Sequence, residues 1–278
     1  MCFYGTDSIV AVGGLNMTIF VVGITSDIGK YFAKQCIDEG HIVYGTSRSE
    51  PDETLKTLVN ARGGVIIRCD FKDIKQIGEA IRKWDSLNVR WDLFLSAVGI
   101  LSPIGEFTSL NIDLFEQNIY INSLSQFRFL QGLLSTRNGG AKVFFLTSRG
   151  IHDPFPEHSA YCLSKLMLVK MCEILDEEIE DCSFIALNPG YIPTKIVKQD
   201  KGAKELSKEE CEYRLNRVSE FIMWATKHEK AVVSGRNFFI EYDSWGTDEL
   251  LEELLEHRGK YKLRRAKDGW NEKEKCFE

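Results

Sequence analysis

The sequence predicts an α/β fold: a doubly wound parallel sheet of about seven strands with helices on both faces, in a single domain. Three observations predict it. Apolar, β-branched runs such as "VFFLT" and "FIALN" read as strands buried on both faces. Between most of these runs the apolar residues recur at a spacing of about 3.6, the period of a helix. A glycine-bearing turn, "VVGITSDIG", joins the first strand to the first helix-like segment, "KYFAKQCIDEG".

Taken in order, strands are expected at residues 18–23, 42–46, 65–69, 93–98, 142–147, 183–187 and 237–242. A long insert, 191–236, separates the sixth from the seventh. In it Ser207 and Glu210 form an S-x-x-E capping box, and Cys211, Leu215, Val218, Ile222 and Ala225 make one apolar stripe. After the last strand, "TDELLEELLEHRG" reads as a short helix with Thr247 at its N-cap and Gly259 as a stop. Its leucines 250, 251, 254 and 255 give it an adhesive face, and a basic stretch, "KYKLRRAK", follows. The organisation expected is an extension at 1–16, a catalytic domain at 17–245, and a C-terminal helix with a charged tail at 246–278. The first residues lack the basic start and clean apolar centre of a signal peptide, and Met17 precedes the first strand, so the extension is expected to be dispensable.

Composition narrows the function. With 278 residues, 44% of them hydrophobic and 27% charged, the chain can bury a sizeable core. A net charge of −6 argues against nucleic acid or an anionic membrane as the main partner, and no apolar run reaches membrane-spanning length. The 8 cysteines form no CxxC pair and several sit inside apolar runs. They read as core thiols of a reducing compartment, hence a cytoplasmic protein without a metal centre.

Three stretches carry chemistry. In "VVGITSDIG", Gly23 ends the strand where the chain turns sharply and Gly29 lets the helix approach closely. The free N–H groups of the helix start would seat a pyrophosphate, although the same spacing also occurs in plain tight loops. In "YCLSK", Tyr161 and Lys165 stand four apart and share a helix face. A fixed ammonium there would favour the phenolate and bring a poor base toward the working range; a chance pair on a solvated face would look the same. Ser148 ends the strand "KVFFLTS", where α/β sheets place ligands, and could hydrogen-bond a substrate oxygen that Tyr161 protonates. Asn122, in "NIYINSLSQF", could hold a relay water with its amide, or could satisfy local backbone.

On these residues, from Met17 to about Trp245, the sequence resembles the short-chain dehydrogenase/reductases, a family with a Rossmann-type NAD(P)-binding fold. Asn122, Ser148, Tyr161 and Lys165 stand in that family's order and spacing. The resemblance implies that Tyr161 is the general acid/base of a hydride transfer between a nicotinamide ring and a carbonyl or secondary alcohol carbon. It implies that Lys165 lowers the tyrosine pKa and binds the nicotinamide ribose, Ser148 orients the carbonyl, and Asn122 supports a water relay. It also implies cofactor contacts from Gly23, Thr25, Ser26, Asp27, Ile28 and Gly29 of the turn, with Tyr161 and Lys165 themselves. "CDFKD" looks like the family's segment beside the adenine, with Asp70 and Phe71. Ala97, Val98 and Gly99 close the central strand, and Pro189, Gly190, Ile192 and Thr194 of "NPGYIPT" line the nicotinamide and phosphate side. The sequence departs from the family in three places. Asp27 stands where a glycine is usual, Ser96-Ala97-Val98-Gly99 replaces an Asn-Asn-Ala-Gly strand end, and Ser125 also replaces a common glycine.

The second strand ends in "YGTSRS". An acid there would accept from a ribose 2′-OH, whereas Ser47 and Arg48 suit a 2′-phosphate, so NADP(H) is favoured over NAD(H). An Arg48 pointing into solvent would leave the enzyme indifferent. The loop "RGIHDPFPEHSA" offers Arg149, His152 and Phe155 as substrate contacts. With the charged insert and the basic tail it hints at a polar small molecule, either sugar-like or anionic; solvated surface charge explains the same residues. The helix "KLMLVKMCEIL" is apolar around most of its circumference and predicts a homodimer or homotetramer. Two other functions fit the same fold: a nucleotide-sugar epimerase or dehydratase that recycles its cofactor, and a nicotinamide-binding sensor without turnover. The 33 residues after Trp245 are short for the first, and a sensor has no need of a tuned phenol.

Overall fold

The computed structural model describes residues 16–200 and 202–264. Its strands are β1 (Thr18–Val22), β2 (Ile42–Ser47), β3 (Ile66–Arg68), β4 (Trp91–Ser96), β5 (Arg137–Leu146), β6 (Cys182–Asn188) and β7 (Arg236–Phe239). They form one sheet in the order β3-β2-β1-β4-β5-β6-β7, with every neighbouring pair parallel. The order reverses between β1 and β4, and a ligand crevice opens at such a switch point.

The helices are α1 (Asp27–Asp38), α2 (Glu53–Ala61), α3 (Ile74–Leu87), α4 (Ile112–Ile119), α5 (Ser125–Leu133), α6 (Ser159–Glu178), α7 (Lys208–Thr226), α8 (Lys230–Val233) and α9 (Asp248–Glu256). Strand alternation divides the core into two layers. Ile19 and Val21, Phe144 and Leu146, and Ile185 and Leu187 face one side, with Phe32 of α1, Phe221 of α7 and Leu254 of α9. Phe20 and Val22, Val143 and Phe145, and Phe184 and Ala186 face the other, with Trp84 of α3, Phe129 of α5 and Leu168 of α6. A strand covered on both faces has no polar side to show, which is why these runs are apolar throughout. Among the described residues no helix is long and apolar enough to cross a membrane.

Caps fall where the sequence places them at two helices. Ser207 Oγ accepts from Glu210 N at 3.1 Å and Thr247 Oγ1 from Leu250 N at 3.2 Å. The stripe of α7 is buried at Val218, Ile222 and Ala225, and α9 buries Leu250 and Leu254 while Leu255 is exposed.

Several strand limits differ from expectation. β3 shrinks to 66–68, and β4 runs from 91 to 96 rather than 93 to 98. Trp91 belongs in β4 because it is fully buried and its indole donates to Leu133 O at 2.9 Å. β5 starts at Arg137, not 142, with an irregular register between Trp91 and Leu93. Its polar start is held by side chains: Arg90 Nε donates to Asn138 Oδ1 at 3.0 Å, and Asn138 Nδ2 to Asp92 Oδ1 at 2.7 Å. β7 stops at Phe239 rather than 242, because Asp243 Oδ2 accepts from Phe239 N at 2.7 Å and the Asp243 N–H donates back to Phe239 O at 2.9 Å.

The segment after α9 lies along the outer edge of β7. Asn237 N donates to Tyr261 O at 2.8 Å, and the Tyr261 ring meets Phe238 edge-on at 5.4 Å. Arg236, 1% exposed, gathers this corner by donating to Lys260 O at 2.6 Å, Leu254 O at 2.5 Å and His257 O at 3.3 Å.

Candidate active site

The turn after β1 is built by close approach. Gly23 has φ +76°, and a Cβ there would lie 2.9 Å from Val98 Cγ2; one at Gly29 would lie 2.4 Å from Gly23 O. Only glycine fits at either position. The N-cap of α1 is Ser26, whose Oγ accepts from Gly29 N at 3.0 Å, so Asp27 is the first helical residue and not the cap. The hydroxyls of two of the expected cofactor contacts are engaged, Ser26 in that cap and Thr25 with Ser47 Oγ at 3.0 Å. The N–H groups of Asp27 and Ile28 have no carbonyl within the helix to take them, which leaves them able to receive an anion.

Asp27 turns away from the helix. Its Oδ2 accepts from Lys195 N at 2.8 Å, in the segment that follows Pro189 and Gly190. That segment, residues 194–200, crosses the cleft as a strap. Its Ile196 Cδ1 would lie 3.6 Å from a Cβ at Gly99, as would Lys165 Nζ, with Asn122 Oδ1 at 3.5 Å. Ile192 is buried in the core, and Thr194 Oγ1 accepts from Val197 N at 3.4 Å, which shapes the strap.

Asn122 sits in a π-helical turn, Tyr120–Leu124, between α4 and α5. Residues four apart drift by about 40° around an α-helix, and a wider turn reduces that drift. Asn118, Asn122 and Gln126 accordingly form a column of amides against the end of β4. Asn118 Nδ2 donates to Ser102 O at 2.8 Å and Ile100 O at 3.1 Å. Asn122 accepts from Ile100 N at 2.7 Å and donates to Ile100 O at 2.8 Å, Asn118 Oδ1 at 2.8 Å and Ser164 Oγ at 3.1 Å. Gln126 accepts from Ser96 Oγ at 2.7 Å and donates to Val98 O at 3.2 Å and Asn122 O at 2.8 Å. The bracing amides missing from "SAVG" are thus supplied by the facing helix. The Asn122 amide, expected to hold a water, is spent as a brace. Ser125 is buried, and its hydroxyl is satisfied by Ile121 O at 3.0 Å.

Ser148 leaves the end of β5, and its Oγ accepts from Gly150 N at 3.1 Å. Tyr161 and Lys165 lie on the first turns of α6. Lys165, 4% exposed, donates to Leu146 O at 2.8 Å and lies 5.6 Å from the centre of the Tyr161 ring. Burial pushes the Tyr161 phenol up to about 12, with a hydrogen bond from Ser148 pulling the other way. Burial also brings Lys165 down to about 8. The expectation that the ammonium draws the phenol toward neutrality is not met in this geometry, where burial sets the direction of the shift.

A family model for short chain dehydrogenase matches residues 17–205. The chain belongs to the short chain dehydrogenase family. Among its relatives, the short-chain dehydrogenase chry4 of Gibberella zeae is 27% identical over 67% of this chain and 75% of its own length. A benzil reductase ((S)-benzoin forming) of Bacillus subtilis is 24% identical over 65% of this chain and 76% of its own. The same fold recurs in a short chain dehydrogenase of Salmonella enterica serovar Typhi, with TM-score 0.72, 18% identity and coverage of 81% of this chain and 96% of that one. It recurs in BdcA in complex with NADPH, with TM-score 0.66, 18% identity and coverage of 82% and 93%. As a short chain dehydrogenase the chain is an oxidoreductase of an NAD(P)-binding family.

The residues present fit such a cofactor. The two glycines keep the turn open, and Asn188 Nδ2 at the end of β6 is buried without a partner among the described residues. Pro189 and Gly190 follow it at the mouth of the crevice. At the end of β2, Ser47 is 2% exposed and its hydroxyl is bonded to Ser49 O at 2.5 Å, so of the expected phosphate pair only the exposed Arg48 faces outward. Asp70 caps its own loop by accepting from Lys72 N at 3.0 Å. The Phe71 ring is buried against Phe129, so only its backbone can face an adenine.

The expected substrate residues are not brought together. Arg149 and His152 line a cavity of about 480 Å³ with Asn237, Phe239, Tyr242 and Tyr261, and none of Ser148, Tyr161 or Lys165 lines it. Phe155 instead stacks on His158 at 4.1 Å. The described part of the basic tail, expected near an anionic substrate, is paired elsewhere: Lys262 with Asp176 at 3.0 Å and Arg264 with Glu173 at 3.3 Å, both on α6, while residues 265–278 lie outside the described residues. Sequence reading missed Asn118, Gln126, Lys195 and Ile196. A polar repeat every four residues at 118, 122 and 126 was the one signal available for the first two.

Proposed function

We propose that this short chain dehydrogenase reduces the carbonyl of a polar small molecule to a secondary alcohol, with NADPH as its cofactor and Tyr161 as the acid. The observation that carries this reading is geometric: the Tyr161 phenol is hydrogen-bonded by Ser148, and the buried ammonium of Lys165 lies 5.6 Å from its ring centre. When bound, the nicotinamide supplies the hydride. Ser148 donates a hydrogen bond to the carbonyl oxygen and fixes its direction toward the phenol. Tyr161 gives its proton to that oxygen as negative charge develops. Lys165 then favours the phenolate left behind and hydrogen-bonds a ribose hydroxyl. The amide column keeps the end of β4 in place under the ring.

For the phosphate of NADP, Arg48 is the supporting residue: it is exposed at the end of β2, where a guanidinium can grip a 2′-phosphate. BdcA, which shares the fold, was crystallised in complex with NADPH, and the Bacillus subtilis relative is named a reductase, which is in keeping with the direction of reaction proposed. A homodimer or homotetramer is part of the proposal, because Leu163 and Ile174 on α6 are 49% and 42% exposed. So is a reducing, cytoplasmic setting, since Cys36, Cys69, Cys172 and Cys182 are buried as free thiols.

The test is Tyr161→Phe against a panel of carbonyl substrates, with NADPH and NADH compared. The expected result is a loss of about two or more orders in kcat with NADPH binding kept. An unchanged rate removes Tyr161 from the mechanism. Arg48→Ala is expected to raise the KM for NADPH about tenfold and leave that for NADH unchanged; a preference of the parent for NADH overturns the cofactor assignment.

A further inference from the structure

His158 is the residue before α6, three positions ahead of Tyr161, and its side chain has no part in the proton transfer described above. It is 4% exposed. Its Nδ1 lies 2.8 Å from Pro156 O. A carbonyl oxygen has no proton to give, so at that distance Nδ1 must carry one. Nε2 of the neutral ring is then a bare lone pair. It is buried without a hydrogen-bond partner and faces Asp200 Oδ2 at 3.5 Å. A second proton on the ring can only go there, and it would convert a repulsive contact into a charge-assisted hydrogen bond.

Asp200 is the far end of the strap whose near end is tied to Asp27 through Lys195. Between the two lies Ile196, against Gly99, which Lys165 Nζ also approaches. The loop that carries His158 is itself tied down, since Gly105 N donates to Glu157 O at 2.9 Å. The other charges nearby do not compete for Nε2. Asp153 is paired with Arg149 at 2.9 Å, Glu157 is exposed, and Phe155 covers one face of the ring. Among the described residues Asp200 is the one carboxylate within 4.0 Å of the His158 ring nitrogens.

We propose that His158 is a positioning residue that acts through Asp200, latching the strap at 194–200 across the cofactor crevice when its ring is protonated and releasing it when the ring is neutral. The strap's effect on a bound cofactor rests on the function proposed above; the latch itself does not. Histidine is the side chain that changes charge between about pH 5 and 8. The latch is made in the protonated form, so it is favoured by acid and lost as pH rises. A closed strap seals Ile196 over the nicotinamide end of the crevice and slows release, a step that limits many turnovers.

The test is hydrogen–deuterium exchange of residues 194–200 in the full chain, without cofactor, at pH 5.5 and pH 8 and corrected for intrinsic rates. Protection is expected to fall about fivefold or more between the two, as for loss of a charge-assisted bond. In Asp200→Asn and in His158→Gln the corrected protection is expected to be the same at both pH values. Parent protection that does not change with pH overturns the proposal, and so does a parent-like slope in Asp200→Asn, a partly exposed position whose replacement keeps the fold if His158→Gln does not. NADPH release, followed by its fluorescence on the same proteins, is expected to quicken about fivefold over the same range in the parent only. Absence of NADPH binding at either pH, with the exchange slope intact, sinks the cofactor reading and leaves the latch standing.

Discussion

Asp27 and Lys195 are 168 residues apart in sequence and joined by a 2.8 Å hydrogen bond from backbone N–H to carboxylate. The bond ties the first turn of α1 to the strap and fixes a negative charge beside the turn proposed to receive the cofactor phosphates. It explains how an aspartate is accommodated in a turn that usually carries glycine: the side chain serves a neighbouring loop.

Asp27→Asn keeps an acceptor for Lys195 N and removes the charge. NADPH is expected to bind several-fold more tightly, about 1 kcal/mol, read by calorimetric titration. Asp27→Gly also loses the tie, and the melting temperature is expected to fall by about 2–4 °C for a bond of about 1 kcal/mol. Equal affinities in parent and Asp27→Asn would show that the carboxylate stays clear of the phosphates.

Lys165 sets the alkaline limit. Burial lowers it to about 8, so its charge is lost as pH rises through that value. Reductive kcat/KM is expected to decline above about pH 8, where the neutral amine no longer favours the phenolate. The stability linkage has the opposite sign. The unfolded lysine still holds its proton between about 8 and 10.4, so the unfolded chain binds more protons there and this residue makes folding more favourable as pH rises. A profile of activity and melting temperature from pH 7 to 10 checks both; parallel decline with Lys165→Met as with the parent would count against it.

Gln126→Leu strips the brace from Ser96 Oγ and from the carbonyls of Val98 and Asn122. Buried groups left without partners cost about 1–3 kcal/mol each. A fall of several degrees in melting temperature is expected, with a lower kcat and little change in KM for the carbonyl substrate, because the strand end under the ring loosens. Thermal unfolding and steady-state kinetics on one preparation measure both.

Arg236→Met removes the donors that hold Leu254 O, His257 O and Lys260 O. Residues 257–264 are expected to become accessible to limited trypsin digestion, with a stability loss of about 1–3 kcal/mol for each buried carbonyl left without a donor. Resistance equal to the parent's would mean that the apolar contacts of Tyr261 suffice.

Much of the architecture was legible because double burial writes itself into composition. The seven runs were visible, and so were the caps at Ser207 and Thr247. Ser148, Tyr161 and Lys165 were legible from spacing, since one strand end and one helix face bring them together. The amide column was not, because Asn118 and Gln126 read as the polar side of an amphipathic helix until β4 is seen to end against them. The polar start of β5 was hidden for a related reason: "RNGG" has no strand propensity and is held by Asp92 of β4 and by Arg90 just before it. Cavity-lining groups such as His152 and Asn237 are 85 residues apart, and no local pattern links them.

The strip of chain that lies along β7 has a consequence beyond anchoring the terminus. A parallel sheet ends in two rims of unpaired peptide groups, each a template on which a foreign strand could add. One rim here, β3, is only 3 residues long. The other is shorter than its neighbour β6 and already has Asn237 N bonded to Tyr261 O from the same chain. Neither rim offers a stranger a continuous row of donors and acceptors, so the sheet is terminated from within and its growth stops at seven strands.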